Sequence, residues 1–294
     1  MLTRIISAAF GIAFMVMVLI LHKTIMLPAA VAAIVAVMMF ELLRTVKLHK
    51  CLPILIAVEF CGISVPLVSE LWYRLYFEGG EKDFFNVFGF EPQNTLIFEI
   101  SLAAAFIVFI VWLKKHKEIR YEQVFFALAS MILVPQAMTT MLHIERRSGE
   151  HGVFFLIMGL CGAWIADSGA YFTGVAIGKH KLCPEISPKK TIEGFVGGII
   201  STGIVFAGAF AVYNYFITES RMETYHIISF IIAGMICAVI GTVGDLSASM
   251  IKRQTGIKDY GKIMPGHGGL MDRFDSVLFV LPTFYAFLSL AGII

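Results

Sequence analysis

Long apolar stretches of about twenty residues alternate along this 294-residue chain with short connections that carry most of the charge. A run of that length, folded as an α-helix, matches the hydrocarbon thickness of a bilayer. The pattern therefore predicts an all-α polytopic membrane protein. About nine transmembrane helices are expected, over Ile5–Leu21, Ile25–Leu43, Leu52–Leu71, Thr95–Leu113, Val124–Leu142, Val153–Ile177, Ile192–Phe216, Ile227–Met250 and Ser276–Ile293.

The composition agrees with a membrane protein and argues against a soluble one. Hydrophobic residues make up 58% of the chain and charged residues 15%, whereas soluble domains have about 25% charged residues. We divide the chain into residues 1–150 and 151–294. The first region, with five spans, is expected to be a scaffold with a lipid or dimer surface. The second, with four spans, is expected to hold the active site.

The positive charges occupy alternate connections between the spans. Most of the 23 Lys and Arg residues lie at the N-terminus or in the connections after spans two, four, six and eight. Such connections usually face the cytoplasm. The prediction is an inner-membrane protein with a cytoplasmic N-terminus, an external C-terminus and an active site that faces the cytoplasm.

The end of span eight carries polar residues at helical spacing. Asp245, Ser249 and Lys252 or Arg253 follow at intervals that place them on one helix face. An interfacial helix end with snorkelling cations would explain each of them singly. The set as a whole favours a functional site, because carboxylates within a membrane are costly.

A glycine-rich segment with acids follows, just before span nine. Pro265–Gly269 could bring backbone N–H groups close to a phosphate, and Asp272, Arg273 and Asp275 come directly after it. Two carboxylates near a third suit Mg²⁺, although capping of span nine is the alternative. His267 within the segment is either a phosphate contact or a local hydrogen-bonding residue.

Span six and the connection after it add further candidates. Asp167 is an acid in an apolar helix, which favours a metal or substrate role. Ser187 and Pro188 are predicted to cap and open helix seven, which would place Lys189 and Lys190 in its first turn. A bound anion would offset cations at that helix end; the alternative is the usual positive charge of cytoplasmic loops.

These residues resemble the phosphatidate cytidylyltransferase, or CDP-diacylglycerol synthase, family. The family signature matches from Ser249 through Lys252-Arg253, Lys258-Asp259 and the Pro-x-His-Gly-Gly run to Asp275, with Met264 as a conservative departure. Asp167–Phe172 and Ser187–Gly194 also resemble family motifs. The likeness covers roughly the C-terminal 130 residues.

The resemblance implies transfer of CMP from CTP to phosphatidate, giving CDP-diacylglycerol and pyrophosphate. It also implies Mg²⁺, K⁺ as a second cation, and a homodimer with no nucleic-acid partner. The expected catalytic residues are Asp245, Asp272, Lys252, Arg253 and Arg273. Substrate binding is expected at Lys189, Lys190, Ser249, Lys258, Asp259, His267, Gly268 and Gly269. Metal binding is expected at Asp245 and Asp272, with Asp167 or Asp275 assisting.

Two other functions remain open from the sequence. A CTP-dependent polyprenol or phytol kinase would transfer a phosphoryl group and release no pyrophosphate. A secondary transporter would use Asp167 and Asp245 as coupling-ion ligands, but it should have a polar path reaching both faces. The polar residues here lie on one predicted face only.

Overall fold

The computed structural model describes residues 2–75, 92–219, 222–263 and 268–294. Met264 and His267 of the signature lie outside the described residues. Ten α-helices and one short hairpin are described, with the bounds α1 Leu2–Ile20, α2 Met26–Thr45, α3 Leu52–Tyr73, α4 Pro92–Lys114, α5 Tyr121–Arg147, α6 Gly152–Ile177, β1 Lys181–Cys183, β2 Ser187–Thr191, α7 Ile192–Val212, α8 His226–Thr255, α9 Met271–Phe274 and α10 Val277–Leu290.

Eight helical segments of the described chain are long and apolar enough to cross a membrane. They correspond to predicted spans two to nine, and the all-α polytopic fold is confirmed. The last of them, Met271–Leu290, includes both α9 and α10. The first predicted span is α1, whose described apolar part, Gly11–Ile20, is shorter than a full span.

The chain forms two compact units. The first consists of Met1–Leu142 and Asp259–Asp272, and the second of His143–Lys258 and Arg273–Ile294. The helix pairs α2–α3 and α3–α4 pack together in the first unit. Its core includes Val35, Met38 and Val58, which are fully buried. The predicted division at residue 150 concerns function and stays a prediction.

A cluster of phenylalanine rings fills the core of the second unit. Phe230 of α8 lies with its ring centroid 4.5 Å from Phe210 and 5.6 Å from Phe155. Phe206 and Phe284 meet edge to face at 5.7 Å, and all five rings are fully buried. Aromatic pairs in these geometries add to the stabilisation that comes from burial alone. This cluster packs α6, α7, α8 and α10 into one unit.

Glycines let α6 and α7 approach closely within the second unit. A Cβ added at Gly198 would lie 2.8 Å from the Ala166 carbonyl oxygen, and one at Gly194 would lie 2.6 Å from the Ala170 carbonyl oxygen. No larger side chain fits at either position without moving a backbone. Small residues at such a seam are typical of membrane helices, where close contact drives association. The seam places the N-terminus of α7 beside the polar part of α6.

Candidate active site

The connection between α6 and α7 is a hairpin, and the prediction that Ser187 and Pro188 open helix seven is wrong. Lys181 pairs with Thr191 and Cys183 with Ser187 in an antiparallel ladder. Helix α7 begins only at Ile192, and Thr191 is its N-cap: the Thr191 hydroxyl accepts a hydrogen bond from the Gly194 N–H at 3.1 Å.

The physical reason for the later start lies in Thr191 and Glu193. Glu193, in the first helical turn, accepts hydrogen bonds from the backbone N–H groups of Lys179 and His180, and its carboxylate lies 2.6 Å from His180 Nδ1. An acid in the first turn is favoured by the helix dipole. Lys189 and Lys190 therefore lie on strand β2 and not in the first turn of α7, where a bound anion was expected to offset their charge.

The hairpin forms one wall of a cavity in the second unit. The cavity has a volume of about 420 Å³, and α6, α7 and Thr242 of α8 supply the rest of its lining. Its lining residues are Asp167, Ala170, Tyr171, Gly174, Val175, Lys181, Leu182, Lys189, Lys190, Thr191, Gly194, Phe195 and Thr242. Three lysines, one acid and two aromatic side chains make a lining suited to an anionic ligand that also has an apolar or ring portion.

Lys190 joins the two acids that the sequence singled out on different helices. Its Nζ lies 2.6 Å from Asp245 Oδ2 and 3.9 Å from Asp167 Oδ1. The side chains of Lys190 and Asp245 are 23% and 24% exposed, whereas that of Asp167 is 51% exposed. The pair with Asp245 is thus largely withdrawn from water, where opposite charges attract more strongly than at an open surface.

Asp275 is the third acid of this group. It is 8% exposed and lies in the turn between α9 and α10. Its carboxylate accepts a hydrogen bond from the Ser276 N–H at 2.7 Å. It also interacts electrostatically with Asp245, Asp167 and Lys252. Three predicted metal ligands are therefore neighbours in the second unit.

The charged end of α8 extends the helix beyond its predicted boundary. The helix continues to Thr255, so Lys252 and Arg253 both lie on it. It ends at Gly256, which has φ +69°, and the Ile257 N–H donates to the Lys252 carbonyl oxygen at 3.0 Å. Glycine suits this left-handed helix end. Ser249 lies one turn after Asp245 on the same helix, as predicted.

Arg253 contacts the hairpin. Its Nε donates a hydrogen bond to the Ile186 carbonyl oxygen at 3.3 Å. The bond links the end of α8 to the tip of the hairpin that walls the cavity. In this structure Arg253 therefore has a positioning contact, and its predicted catalytic role stays a prediction.

The described part of the glycine-rich segment belongs to the first unit. Asp272 Oδ2 accepts hydrogen bonds from the Tyr260 N–H at 2.8 Å and from the Gly269 N–H at 3.0 Å. Gly268 has φ +87°, a conformation that L residues rarely adopt. Asp259 is exposed, and its Cβ would lie 3.6 Å from a Cβ added at Gly268. Asp272 thus organises the loop backbone.

Glu41 of α2 is hydrogen-bonded to this loop and was not among the predicted site residues. It is 1% exposed, and its carboxylate accepts hydrogen bonds from the N–H groups of Leu270 and Met271. A carboxylate near the end of an apolar helix was the available signal. Its partners lie 229 and 230 residues further along the chain, so the sequence did not point to them.

The acids of the second unit fit a divalent metal by their chemistry. Within the described ranges, no group of three or more His, Cys, Asp and Glu side chains is preformed to hold a metal ion. Mg²⁺, however, commonly uses one or two carboxylates and completes its shell with phosphate oxygens and water. The Lys190 ammonium beside Asp245 and Asp167 shows that these carboxylates already stabilise a cation.

Comparison with known proteins assigns the chain to a family. The model of a family described as the cytidylyltransferase family matches residues 2–291. The chain belongs to the cytidylyltransferase family. This cytidylyltransferase is therefore an enzyme of the nucleotidyltransferase class and an integral membrane protein. Family membership suggests, in general, a requirement for a divalent metal.

Relatives of this cytidylyltransferase cover nearly all of its length. The phosphatidate cytidylyltransferase of Bacillus subtilis is 32% identical over 286 residues, which is 97% of this chain and 95% of the relative. The Haemophilus influenzae protein of that name is 32% identical over 289 residues, 97% of each. One from Staphylococcus aureus is 38% identical over 181 residues, 62% of this chain and 65% of the relative.

The remaining predicted residues of this cytidylyltransferase occupy varied positions. Lys189 lines the cavity, whereas Lys258 is exposed on the connection after α8, and Arg273 is exposed on α9. Thr191 and Glu193, which shape the cavity wall, were not among the predicted site residues. A Thr followed two residues later by an acid is a recognisable helix start and could have identified both.

Proposed function

We propose that this protein transfers CMP from CTP to phosphatidate and so produces CDP-diacylglycerol and pyrophosphate for phospholipid synthesis. The observation that carries this proposal is Lys190, which lines the cavity and pairs with Asp245 beside Asp167. A cation held by two acids can neutralise a phosphate while the acids bind a metal. The names of the relatives support the choice of substrates.

The reaction requires alignment and charge neutralisation more than a strong base. A phosphate monoester is largely ionised near pH 7, because its second pKa is about 6. An oxygen of phosphatidate attacks the α-phosphorus of CTP, the bond from that phosphorus to the bridging oxygen breaks, and pyrophosphate leaves. Lys189, Lys190 and Lys181 line the cavity and would hold phosphate oxygens against their mutual repulsion.

Asp245, Asp167 and Asp275 would hold Mg²⁺ together with phosphate oxygens. The metal supplies neutralisation of the charge that develops on the transferred and leaving phosphates. Electrostatic interaction among the three carboxylates supports the assignment, because their mutual repulsion falls when a divalent cation binds. Metal binding by Asp272, and a role for K⁺ as second cation, are carried over from the family resemblance.

Three further parts of the proposal rest on the sequence and on its likeness to other proteins. The positive charges in alternate connections support a cytoplasmic active site, where CTP is available. Placement in the inner membrane agrees with the bacterial relatives. A homodimer is proposed from the resemblance alone.

Labelled CTP tests the proposed reaction directly. Purified protein in detergent is given phosphatidate, Mg²⁺ and CTP labelled at either the α- or the γ-phosphorus. Cytidylyl transfer puts the α-label into lipid and the γ-label into pyrophosphate. The reaction should fail when phosphatidate, CTP or Mg²⁺ is omitted, and ATP should not replace CTP.

Two outcomes would contradict the proposal. Transfer of the γ-label to a lipid alcohol would identify a CTP-dependent lipid kinase. Folded protein that transfers neither label under these conditions would remove the support for CMP transfer.

A further inference from the structure

Glu41 makes two hydrogen bonds to the signature segment through its two different oxygens. Oε1 accepts from the Leu270 N–H at 3.1 Å, and Oε2 accepts from the Met271 N–H at 2.8 Å. Charge-assisted bonds of this kind are stronger than those between neutral groups. Two bonds also fix the orientation of the loop backbone, which a single bond would leave free to rotate.

Two glycines enclose the Glu41 carboxylate. A Cβ added at Gly269 would lie 2.5 Å from Oε1 and 2.6 Å from Oε2, and one at Gly261 would overlap Oε1. Both glycines are buried. The absence of side chains at these two positions is therefore what allows the carboxylate to reach the loop backbone. Backbone flexibility does not explain these two glycines, because the Glu41 carboxylate already fills the space that a Cβ would occupy.

The burial of Glu41 needs a reason because a charged side chain loses its hydration there. Uncompensated burial of a carboxylate is strongly unfavourable. The charged groups that interact with it are Arg44, one turn further along α2, and Asp272 of the same loop. An apolar residue at position 41 would be buried without the cost of desolvating a charge. The carboxylate is therefore explained by the hydrogen bonds that it accepts.

Glu41 and Asp272 together hold three consecutive backbone N–H groups. Asp272 Oδ2 accepts from Gly269, while Glu41 accepts from Leu270 and Met271. The two acids therefore determine which way the peptide groups after Gly268 point. These three N–H groups are therefore committed to the two acids, and what the acids fix is the course of the backbone at Gly268–Met271.

We propose that Glu41 is a positioning residue for the proposed reaction, holding the backbone of Gly268–Met271, where substrate binding by Gly268 and Gly269 is expected, in its working conformation. The inference rests on the function proposed above. Glu41 acts through the loop backbone and contacts neither substrate.

The test compares Glu41→Gln with Glu59→Gln. Gln at position 41 keeps the size of the side chain but places an NH₂ donor against one of the two N–H groups. We expect the KM for CTP to rise about tenfold, the effect of losing one hydrogen bond to a charged group. The KM for phosphatidate should change less than about twofold.

Glu59 provides the matched control. It lies on α3 of the same unit, and among the described residues both its carboxylate oxygens are buried without a hydrogen-bond partner. Glu59→Gln is the same chemical change in a similar environment away from the loop, so it should leave both KM values at the level of the unchanged protein.

Two further measurements separate positioning from general stability. Gly261→Ala leaves the Glu41 charge in place but pushes its carboxylate away, so it should also raise the KM for CTP. Hydrogen exchange should become faster at the Leu270 and Met271 amides in Glu41→Gln, while the unfolding temperature changes by only a few degrees.

The outcomes distinguish this inference from the function on which it rests. Unchanged KM for CTP in both Glu41→Gln and Gly261→Ala, or failure of both to fold, would overturn the positioning role. The proposed reaction fails instead if the unchanged protein transfers no CMP. If Asp272→Asn transfers CMP at the normal rate, the loop is not part of the site and the inference fails with it.

Discussion

Carboxylates are used differently in the two units of this protein. In the first unit, Glu41 and Asp272 accept hydrogen bonds from backbone N–H groups of one loop. In the second, Asp245 and Asp167 lie near the ammonium of Lys190, which lines a cavity of about 420 Å³. The same chemical group therefore shapes a backbone in one place and presents charge towards a ligand space in the other.

The difference follows from the groups to which the carboxylates are bonded. Backbone N–H groups belong to the fold and cannot leave, so an acid bonded to them shapes the backbone whatever else it binds. A lysine side chain is flexible, and its ammonium can move from a carboxylate to a phosphate when a metal or substrate arrives. The function of the second-unit acids is therefore expected to depend on their charge. The function of Glu41 and Asp272 is expected to depend on the geometry of their hydrogen bonds.

The largest expected effect is the loss of turnover in Asp245→Asn. Removal of the charge should lower CMP transfer at least about a hundredfold, because Asp245 is proposed to hold the Mg²⁺ that neutralises phosphate charge. The unfolding temperature should stay within a few degrees. Glu118→Gln, at an exposed residue of the first unit whose side chain is 72% exposed, is the control. Substantial remaining turnover would contradict the assignment of Asp245.

Asp272→Asn should lower turnover by loosening the loop backbone. The amide keeps the size of the side chain but accepts hydrogen bonds less strongly than a carboxylate, so the loop backbone loosens. We expect turnover to fall between about tenfold and a hundredfold, with faster hydrogen exchange at the Tyr260 and Gly269 amides. Asp245→Asn should leave those amides unchanged. Equal hydrogen exchange at these amides in Asp272→Asn and Asp245→Asn would show that carboxylates do not act differently in the two units.

Lys190→Met should have a smaller effect than Asp245→Asn. The cavity loses one of three lysines, so CMP transfer should fall about tenfold, and Lys190→Arg should retain more activity because it keeps the charge. CMP transfer by the double variant, Lys190→Met with Asp245→Asn, should be no slower than transfer by Asp245→Asn alone, because the two residues interact directly. Strictly multiplicative losses would show that the pair does not act as a unit.

The smallest functional effect is expected in the α6–α7 seam of the second unit. Gly198→Ala places a methyl group against the Ala166 carbonyl oxygen and should lower stability by about 1–3 kcal/mol. Gly208→Ala on the same helix meets nothing within 4 Å and should be neutral or slightly stabilising. Thermal unfolding in detergent measures both. An equal response at the two positions would show that the seam is not tightly packed.

The helices were the most predictable part of the fold. An apolar run of about twenty residues has few alternatives in a membrane, because backbone groups there must bond internally. The end of α8 was predicted too early because its last turn is charged, and hydropathy alone does not show where a helix continues into water. The segment around Ser187 was assigned to a helix start because Ser-Pro is compatible with both a cap and an extended strand.

The membrane class, the helices and the residue types of the candidate site follow from the amino-acid sequence, because each depends on composition or spacing within one segment. Which of these residues meet depends on the packing of the helices. Lys190 lies on a strand that places it beside Asp245, and Glu41 reaches a loop 229 residues away. Side-chain contacts between distant segments depend on how helices pack, and no local pattern records the partner. The role of the buried Glu41 carboxylate is evident only from the two N–H groups that the fold brings to it.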